Sequence, residues 1–149
     1  DERIFYQAVD ATSVPYADKS FDIVAFKSLL GGIGSHRGPE FISQAVSEIQ
    51  RVLRPGGFLL FAENLTGSSI HMFLRRRFVE WGHSWHYLSQ DEIEVLLRPF
   101  SRRHVETTGF LSVFGRSELQ RSCLHVIDNL INPLVPGSQH YLAFGWAQK

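Results

Sequence analysis

The stretch from residue 20 to residue 63 reads SFDIVAFKSLLGGIGSHRGPEFISQAVSEIQRVLRPGGFLLFAE. It contains two short apolar runs, at residues 21–26 and 58–62, that have the length and composition of buried strands. A helical pattern at residues 41–53 lies between them. Two buried strands joined by a helix form a parallel βαβ unit, so this stretch predicts an α/β fold with a mainly parallel sheet.

The helix at residues 41–53 is predicted from its apolar spacing. One face of the helix collects Phe41, Ile42, Ala45, Val46, Ile49, Val52 and Leu53. Pro39 suits the first helical position, and the run Arg54-Pro55-Gly56-Gly57 ends the helix before the next strand. The helix should therefore bury one side against the sheet.

The same rules extend to the rest of the chain. Residues 4–9 (IFYQAV) read as a buried strand that ends at Asp10. Ser68 is a candidate cap for a helix at residues 68–79, and Ser89 with Glu92 forms a capping box for the next helix. We expect a further helix at residues 116–131, and strands at 104–110 and 140–147.

Composition excludes some classes of function. Among 149 residues, Lys plus Arg equal Asp plus Glu, and this zero net charge argues against broad binding to nucleic acid. No run of 18 apolar residues predicts a membrane span, and the single Cys123 fits a reducing compartment. We expect a cytoplasmic protein with a small-molecule partner. The oligomeric state stays open, with a dimer as one option.

Four glycines between residues 31 and 38 raise the question of a phosphate loop. The P-loop pattern needs a Lys-Ser/Thr pair that this stretch lacks, and the dinucleotide pattern G-x-G-x-x-G has Arg37 at its third glycine position. We favour a flexible crossover loop that needs positive φ angles and lines a ligand.

The order of motifs resembles the class I S-adenosylmethionine-dependent methyltransferases. In that family a strand ends in Asp, a loop and a Ser-Phe-Asp motif follow, and a later helix ends in E-x-x-RVL-x-PGG. The matching residues are Asp10, Val14-Pro15-Tyr16, Asp18, Ser20-Phe21-Asp22, Glu48, Arg51-Val52-Leu53 and Pro55-Gly56-Gly57. The resemblance implies a Rossmann-like sheet with helices on both faces and an antiparallel C-terminal strand.

The resemblance also implies a cofactor site for S-adenosylmethionine. Asp10 and Ala11 match the positions that recognise adenine, and Lys27 and Ser28 match positions near the methionine moiety. Both pairs follow predicted strands, at the sheet edge where open α/β sheets bind ligands.

One departure from the family is large. The glycine-rich turn after the family's first strand, and the acidic residue that binds ribose, do not occur in this sequence. We expect that the N-terminal strands are missing, that about 40–60 residues precede the chain, and that residues 1–149 form one truncated domain. In the family the first strand lies between the strands that match residues 4–9 and 21–26, so without it these two segments cannot take their usual places in the sheet. The chain alone should bind S-adenosylmethionine poorly or not at all.

The second half carries the candidates for acceptor chemistry. We predict a cap or substrate-binding insertion at residues 65–90. The candidate substrate-binding residues are Asn64, at the end of the preceding strand, and Arg75, Trp81 and Trp85 within this insertion. Candidate general bases are His36, His83 and His86, because histidine titrates near neutral pH. His83-x-x-His86 lacks a third ligand, so we predict no metal site.

The resulting prediction is methyl transfer to a small molecule, sugar-like or anionic. A non-catalytic scaffold derived from a methyltransferase is one alternative, and a dinucleotide-dependent enzyme is the other.

Overall fold

The computed structural model describes residues 4–149, except for the side chains of residues 81 and 82. The strands and α-helices, in chain order, are β1 (Phe21–Lys27), α1 (Leu30–His36), α2 (Glu40–Val52), β2 (Leu53–Asn64), α3 (Ser69–Phe78), α4 (Gln90–Leu96), β3 (Arg102–Thr108), α5 (Glu118–Ile131) and β4 (Leu142–Gln148). Short 3-10 turns lie at Glu80–His83, Ser112–Phe114, Asn132–Leu134 and Gly137–Gln139.

The four strands form one sheet in the order β1-β2-β4-β3. β1 pairs with β2 in parallel, with Val24 opposite Leu59. β4 is antiparallel to both β2 and β3, so β1, β2 and β3 all run in one direction. This arrangement confirms the predicted α/β class with an antiparallel C-terminal strand.

Helices α3 and α4 begin where the sequence predicts. The Ser68 side chain accepts a hydrogen bond from the His71 amide at the start of α3. At α4, Ser89 and Glu92 exchange both bonds of a capping box. Each cap satisfies backbone donors that have no partner within the helix.

The core lies between one face of the sheet and helices α2 and α4. Its members, all apolar and buried, include Ile42, Val46, Ile49, Leu59, Phe61, Leu88, Ile93, Leu97, Ala143 and Ala147. Burying a large aliphatic side chain stabilises the fold by about 1.5–3 kcal/mol, so this cluster is the main source of stability.

The opposite face of the sheet is open in the described part of the chain. Ile23, Leu60 and Phe144 point away from the core and are exposed.

Two predictions were wrong. Residues 4–10 form no strand, because no described strand pairs with them; Phe5 and Tyr6 are 90% and 93% exposed. The expected glycine loop is instead helix α1, where only Gly38, beyond its end, has a positive φ of 114°.

Candidate functional site

The carboxyl ends of β1 and β2 are joined by two hydrogen bonds. The Ser28 amide donates to the carbonyl of Ala62 at 2.8 Å, and Asn64 Nδ2 donates to Ser28 Oγ at 3.0 Å. Ser28 adopts a φ of 52°, an uncommon value for a residue with a side chain. The chain therefore turns sharply at the edge where open α/β sheets bind ligands.

A buried carboxylate next to Asn64 starts helix α1. Glu63 Oε2 accepts a hydrogen bond from the Leu30 amide at 2.8 Å, while Oε1 accepts from the Asn64 amide at 3.0 Å. Burial raises the pKa of Glu63, and these bonds from the backbone act in the opposite direction. Glu63 fixes the helix start relative to the strand ends.

The glycines of α1 make room for the segment before α4. A Cβ on Gly31 would collide with the Trp85 ring, and one on Gly34 would lie 2.7 Å from the His86 ring. The His86 amide donates to Ser35 Oγ at 2.6 Å. The glycine cluster thus serves close packing of α1 against this segment.

A cavity of about 740 Å³ opens at the ends of β1 and β2. One wall carries Lys27, Ser28 and Asn64. The other walls come from α3, the 3-10 turns and the segments beside them, α5 and the residue before β4. They comprise Leu74, Phe78, Val79, Glu80, Ser112, Val113, Phe114, Gly115, Arg116, Arg121 and Tyr141. Its volume lies within the range of small-molecule sites.

The wall opposite Asn64 carries a hydrogen-bonded series of polar groups. The Tyr141 hydroxyl lies 3.0 Å from Ser112 Oγ, which donates to the Asp128 carboxylate at 2.7 Å. Asp128 also accepts from the backbone amides of Leu111 and Ser112. Burial favours a raised pKa for Asp128, but the bonds from Ser112 and Leu111 outweigh it and lower the pKa. The carboxylate therefore stays ionised.

The first part of the chain matches a known protein family. Residues 1–61 match the model of a methyltransferase domain. Over these residues the chain is similar to the class I S-adenosylmethionine-dependent methyltransferases. The predicted resemblance is confirmed, and the matched residues coincide with those that carry it.

A curated relative supports this similarity. The phthiotriol/phenolphthiotriol dimycocerosates methyltransferase 1 of Mycobacterium ulcerans is 37% identical over 91 residues. The matching region covers 58% of this chain and 28% of that relative. The matching region thus spans less than a third of the relative's length.

Solved structures of the family share the fold. A Thermotoga maritima methyltransferase, described as a possible histamine N-methyltransferase, superposes with a TM-score of 0.66 at 19% identity, covering 98% of this chain and 65% of that one. Phosphoethanolamine N-methyltransferase 2 of Haemonchus contortus, solved with S-adenosylhomocysteine, gives a TM-score of 0.59 at 18% identity and coverages of 94% and 36%.

The E-x-x-R motif, Glu48 to Arg51, holds the loop after Asp10 in place. The Arg51 guanidinium bonds the carboxylates of Glu48 and Asp18 and the carbonyls of Val14 and Tyr16. The Glu48 carboxylate accepts from the Val14 amide at 2.9 Å. The hydrogen bond from Arg51, and to a smaller extent the one from the Val14 amide, lowers the pKa of Glu48 to about 2. The motif therefore holds the loop after Asp10 against α2.

Asp10, the predicted adenine partner, lies at the rim of this loop. Its carboxylate accepts from the amide and hydroxyl of Thr12 and pairs with Arg37. These bonds lower the pKa of Asp10 to about 2, and the bond from the Thr12 side chain has the largest effect. Ala11 follows it in the turn. Both remain predicted cofactor residues.

Arg75, predicted to bind substrate, is instead fully buried. Its guanidinium donates to the Leu65 carbonyl at 2.7 Å and lies over the rings of Tyr87 and Tyr141. His71, one turn earlier, stacks on Tyr141 with a centroid distance of 5.3 Å. Burial, and then the charge of Arg75, lowers the pKa of His71 to about 4. Arg75 joins α3 to the sheet edge.

The predicted bases lie outside the cavity. His36 is exposed, with Nδ1 2.8 Å from the Gly32 carbonyl, and His83 is exposed in a 3-10 turn. His86 lines a separate groove beside α2 and α4. Trp85 packs on α1, and the Trp81 side chain lies outside the described residues. Of the predicted site residues, the structure brings Lys27, Ser28 and Asn64 together at one cavity.

The polar series through Tyr141 was missed by sequence reasoning. Ser112, Asp128 and Tyr141 are separated by up to 29 residues, and no spacing rule links them. Within residues 4–149, no group of three or more His, Cys, Asp or Glu side chains is placed to hold a metal ion. No described helix is long and apolar enough to cross a membrane.

Proposed function

We propose that the protein transfers a methyl group from S-adenosylmethionine to a small-molecule acceptor held in the cavity beside β1 and β2. The observation that carries the proposal is the position of this cavity in a chain of the class I family. Lys27, Ser28 and Asn64 line it at the carboxyl ends of parallel strands, where ligands of such sheets bind.

The residues present fit one end of the cofactor. The Ser28 turn exposes backbone, and Lys27 and Asn64 offer polar side chains that suit the charged methionine end. The Asp10 carboxylate, held ionised at the rim, suits the amino edge of adenine as an acceptor. The acidic residue that binds ribose in the family has no counterpart among the motifs of this sequence.

The bound cofactor supplies an electrophilic methyl group. The chain's own contribution is to position the acceptor and to exclude water. Phe78 and Phe114 form apolar parts of the cavity wall, which restricts water around the reacting groups.

Charged groups on the cavity wall favour an anionic acceptor with an apolar portion. Lys27, Arg116 and Arg121 provide three cations, and Glu80 provides one acid. Arg121 also bonds Glu118 and the Gly115 carbonyl, which orients its guanidinium. Trp85 lies away from this cavity, so the sugar-like acceptor loses its main support.

The Tyr141 hydroxyl is the group best placed to handle an acceptor proton. It faces the cavity and is linked through Ser112 to the ionised Asp128. As an acceptor hydroxyl or amine gives its proton to the Tyr141 oxygen, Tyr141 passes its own proton to Ser112 Oγ, and Ser112 passes its proton to the Asp128 carboxylate. Tyr141 therefore replaces the three histidines as our candidate base.

Calorimetric titration of S-adenosylhomocysteine into the full gene product, beside the 149-residue chain, tests the proposal. We expect binding by the gene product, at least tenfold weaker binding by its Asn64→Leu variant, and weak or no binding by the 149-residue chain. Asp22→Asn is the control, because Asp22 is exposed and pairs with Arg54 away from the cavity. Binding of NAD instead would favour a dinucleotide enzyme, and binding of neither would favour a scaffold.

A further inference from the structure

Helix α5 presents its apolar side to solvent. Leu119, Val126 and Leu130 are 77%, 60% and 73% exposed, and Cys123 is also exposed. At about 100° per residue these four side chains lie within roughly 60° of one another on the helix. Asp128, on the opposite side of the helix, is buried. The usual orientation of an amphipathic surface helix is therefore reversed.

The bonds of Asp128 fix this orientation. Its two carboxylate oxygens accept from the Leu111 amide, the Ser112 amide and Ser112 Oγ at 2.7–2.9 Å. Rotating α5 to bury its apolar stripe would break all three bonds and move a carboxylate into solvent. Because this inward face is held by specific contacts, the stripe stays exposed in the described chain, where it is available to a partner.

We propose that the stripe Leu119, Cys123, Val126 and Leu130 is a dimer interface that packs against the same stripe of a second copy. The intervals of four, three and four residues are those of a helix–helix seam. Cysteine behaves as a small apolar residue in such a position. The same patch on both partners makes a closed, two-fold interface, the commonest arrangement of soluble oligomers.

The flanks of the stripe favour self-association over a charged partner or an anionic lipid surface. Gln120, Ser122 and Asn129 lie beside it and carry no charge, so two copies meet without like-charge repulsion. Glu118 pairs with Arg121 of its own helix at 3.3 Å. A basic flank, which an interfacial lipid-binding helix uses, does not occur along this stripe.

The apolar area of the stripe indicates how strongly two copies can associate. Together with the exposed Ile127 and Leu134, the stripe presents on the order of 500–600 Å² of apolar surface per copy, or roughly 1,100 Å² in a dimer. This total is at the low end for specific interfaces. A weak, reversible dimer is therefore expected.

Sedimentation equilibrium of the 149-residue chain between micromolar and several hundred micromolar tests this inference. Val126→Lys places a charge at the centre of the seam and should raise the dimer Kd at least tenfold. Ile70→Lys, at an exposed site on α3, and Ile23→Lys, on the open sheet face, are matched controls that should leave the Kd unchanged. Circular dichroism verifies that each variant is folded.

Cys123, the only cysteine, gives a second readout. A short bismaleimide should link two copies of the wild-type chain at concentrations above the Kd, and the yield should fall in Val126→Lys. A chain that stays monomeric at several hundred micromolar overturns the proposal. So does a dimer that Val126→Lys leaves intact or that Ile23→Lys disrupts, because the interface would then lie elsewhere.

Discussion

Glu63 at the end of β2 and Leu30 at the start of α1 are joined by a buried hydrogen bond of 2.8 Å. The carboxylate comes from one strand, and the helix it starts follows the neighbouring strand. The bond therefore fixes the position of α1 relative to both strand ends, and with it the edge of the candidate cavity.

Glu63→Gln should destabilise the protein by about 1–3 kcal/mol. The Glu63 carboxylate accepts hydrogen bonds from backbone amides through both of its oxygens, whereas the glutamine side chain has only one acceptor oxygen. Urea unfolding at pH 7 measures the change. Glu106→Gln is the control, since Glu106 is exposed on β3, and it should shift stability by no more than about 0.5 kcal/mol. Equal stability of Glu63→Gln and wild type would contradict the role assigned to this carboxylate.

The glycines of α1 should respond unequally to alanine. Gly31→Ala should destabilise by about 1–3 kcal/mol, because its Cβ would collide with the Trp85 ring and lie 2.6 Å from the His86 carbonyl. At Gly32 the nearest atom would be 3.4 Å away, an ordinary contact, so Gly32→Ala should be neutral or stabilise by up to about 1 kcal/mol. Thermal unfolding of the two variants measures these changes. If both substitutions stabilised the protein, Gly31 would not be needed for the close contact between α1 and the segment that carries Trp85.

His71 should make the fold sensitive to mild acid. Burial and the charge of Arg75 hold its pKa near 4, below its ordinary value of 6.5. The unfolded chain thus binds more protons between pH 6.5 and 4, and stability falls as pH falls through that window. Between pH 7 and pH 4 the wild type should lose about 1–3 kcal/mol more than His71→Phe does.

Urea unfolding of both proteins across this pH range measures the difference. His125→Gln serves as the control, because His125 is exposed on α5 and its replacement should leave the pH dependence unchanged. Parallel pH curves for the wild type and His71→Phe would mean that His71 titrates as it does in the unfolded chain.

Arg51→Ala should release the loop between Asp10 and Ser20. The substitution removes bonds to two loop carbonyls and leaves the Glu48 carboxylate without its main partner. Limited proteolysis with mass spectrometry should show cleavage within residues 11–20 at least fivefold faster than in wild type. Arg103→Ala, which removes a partly exposed pair with Glu94 away from this loop, should cleave at the wild-type rate.

Local signals made much of the fold predictable. The apolar spacing of α2 and the Ser89–Glu92 capping box act over a few residues, so they are visible without tertiary structure. The failed strand at residues 4–9 shows the limit of such signals. Its composition suits a strand, but a strand forms only where a neighbour satisfies its backbone groups.

The site was less predictable because it depends on distant contacts. Lys27, Ser28 and Asn64 could be placed, since strand ends of a parallel sheet share an edge. The association of Tyr141 with Asp128, and the burial of Arg75, depend on how α3 and α5 pack, which no local pattern encodes. The glycines of α1 were misread for the same reason: their partner, Trp85, lies more than 50 residues later.

The position of β4 inside the sheet has a consequence for biosynthesis. β3 pairs only with β4 among the described strands, and β4 is made last. On the ribosome β1, α2 and β2 can assemble early, while β3 waits with both edges unpaired until some 40 further residues emerge. We expect this interval to be the time when a nascent chain most needs a chaperone.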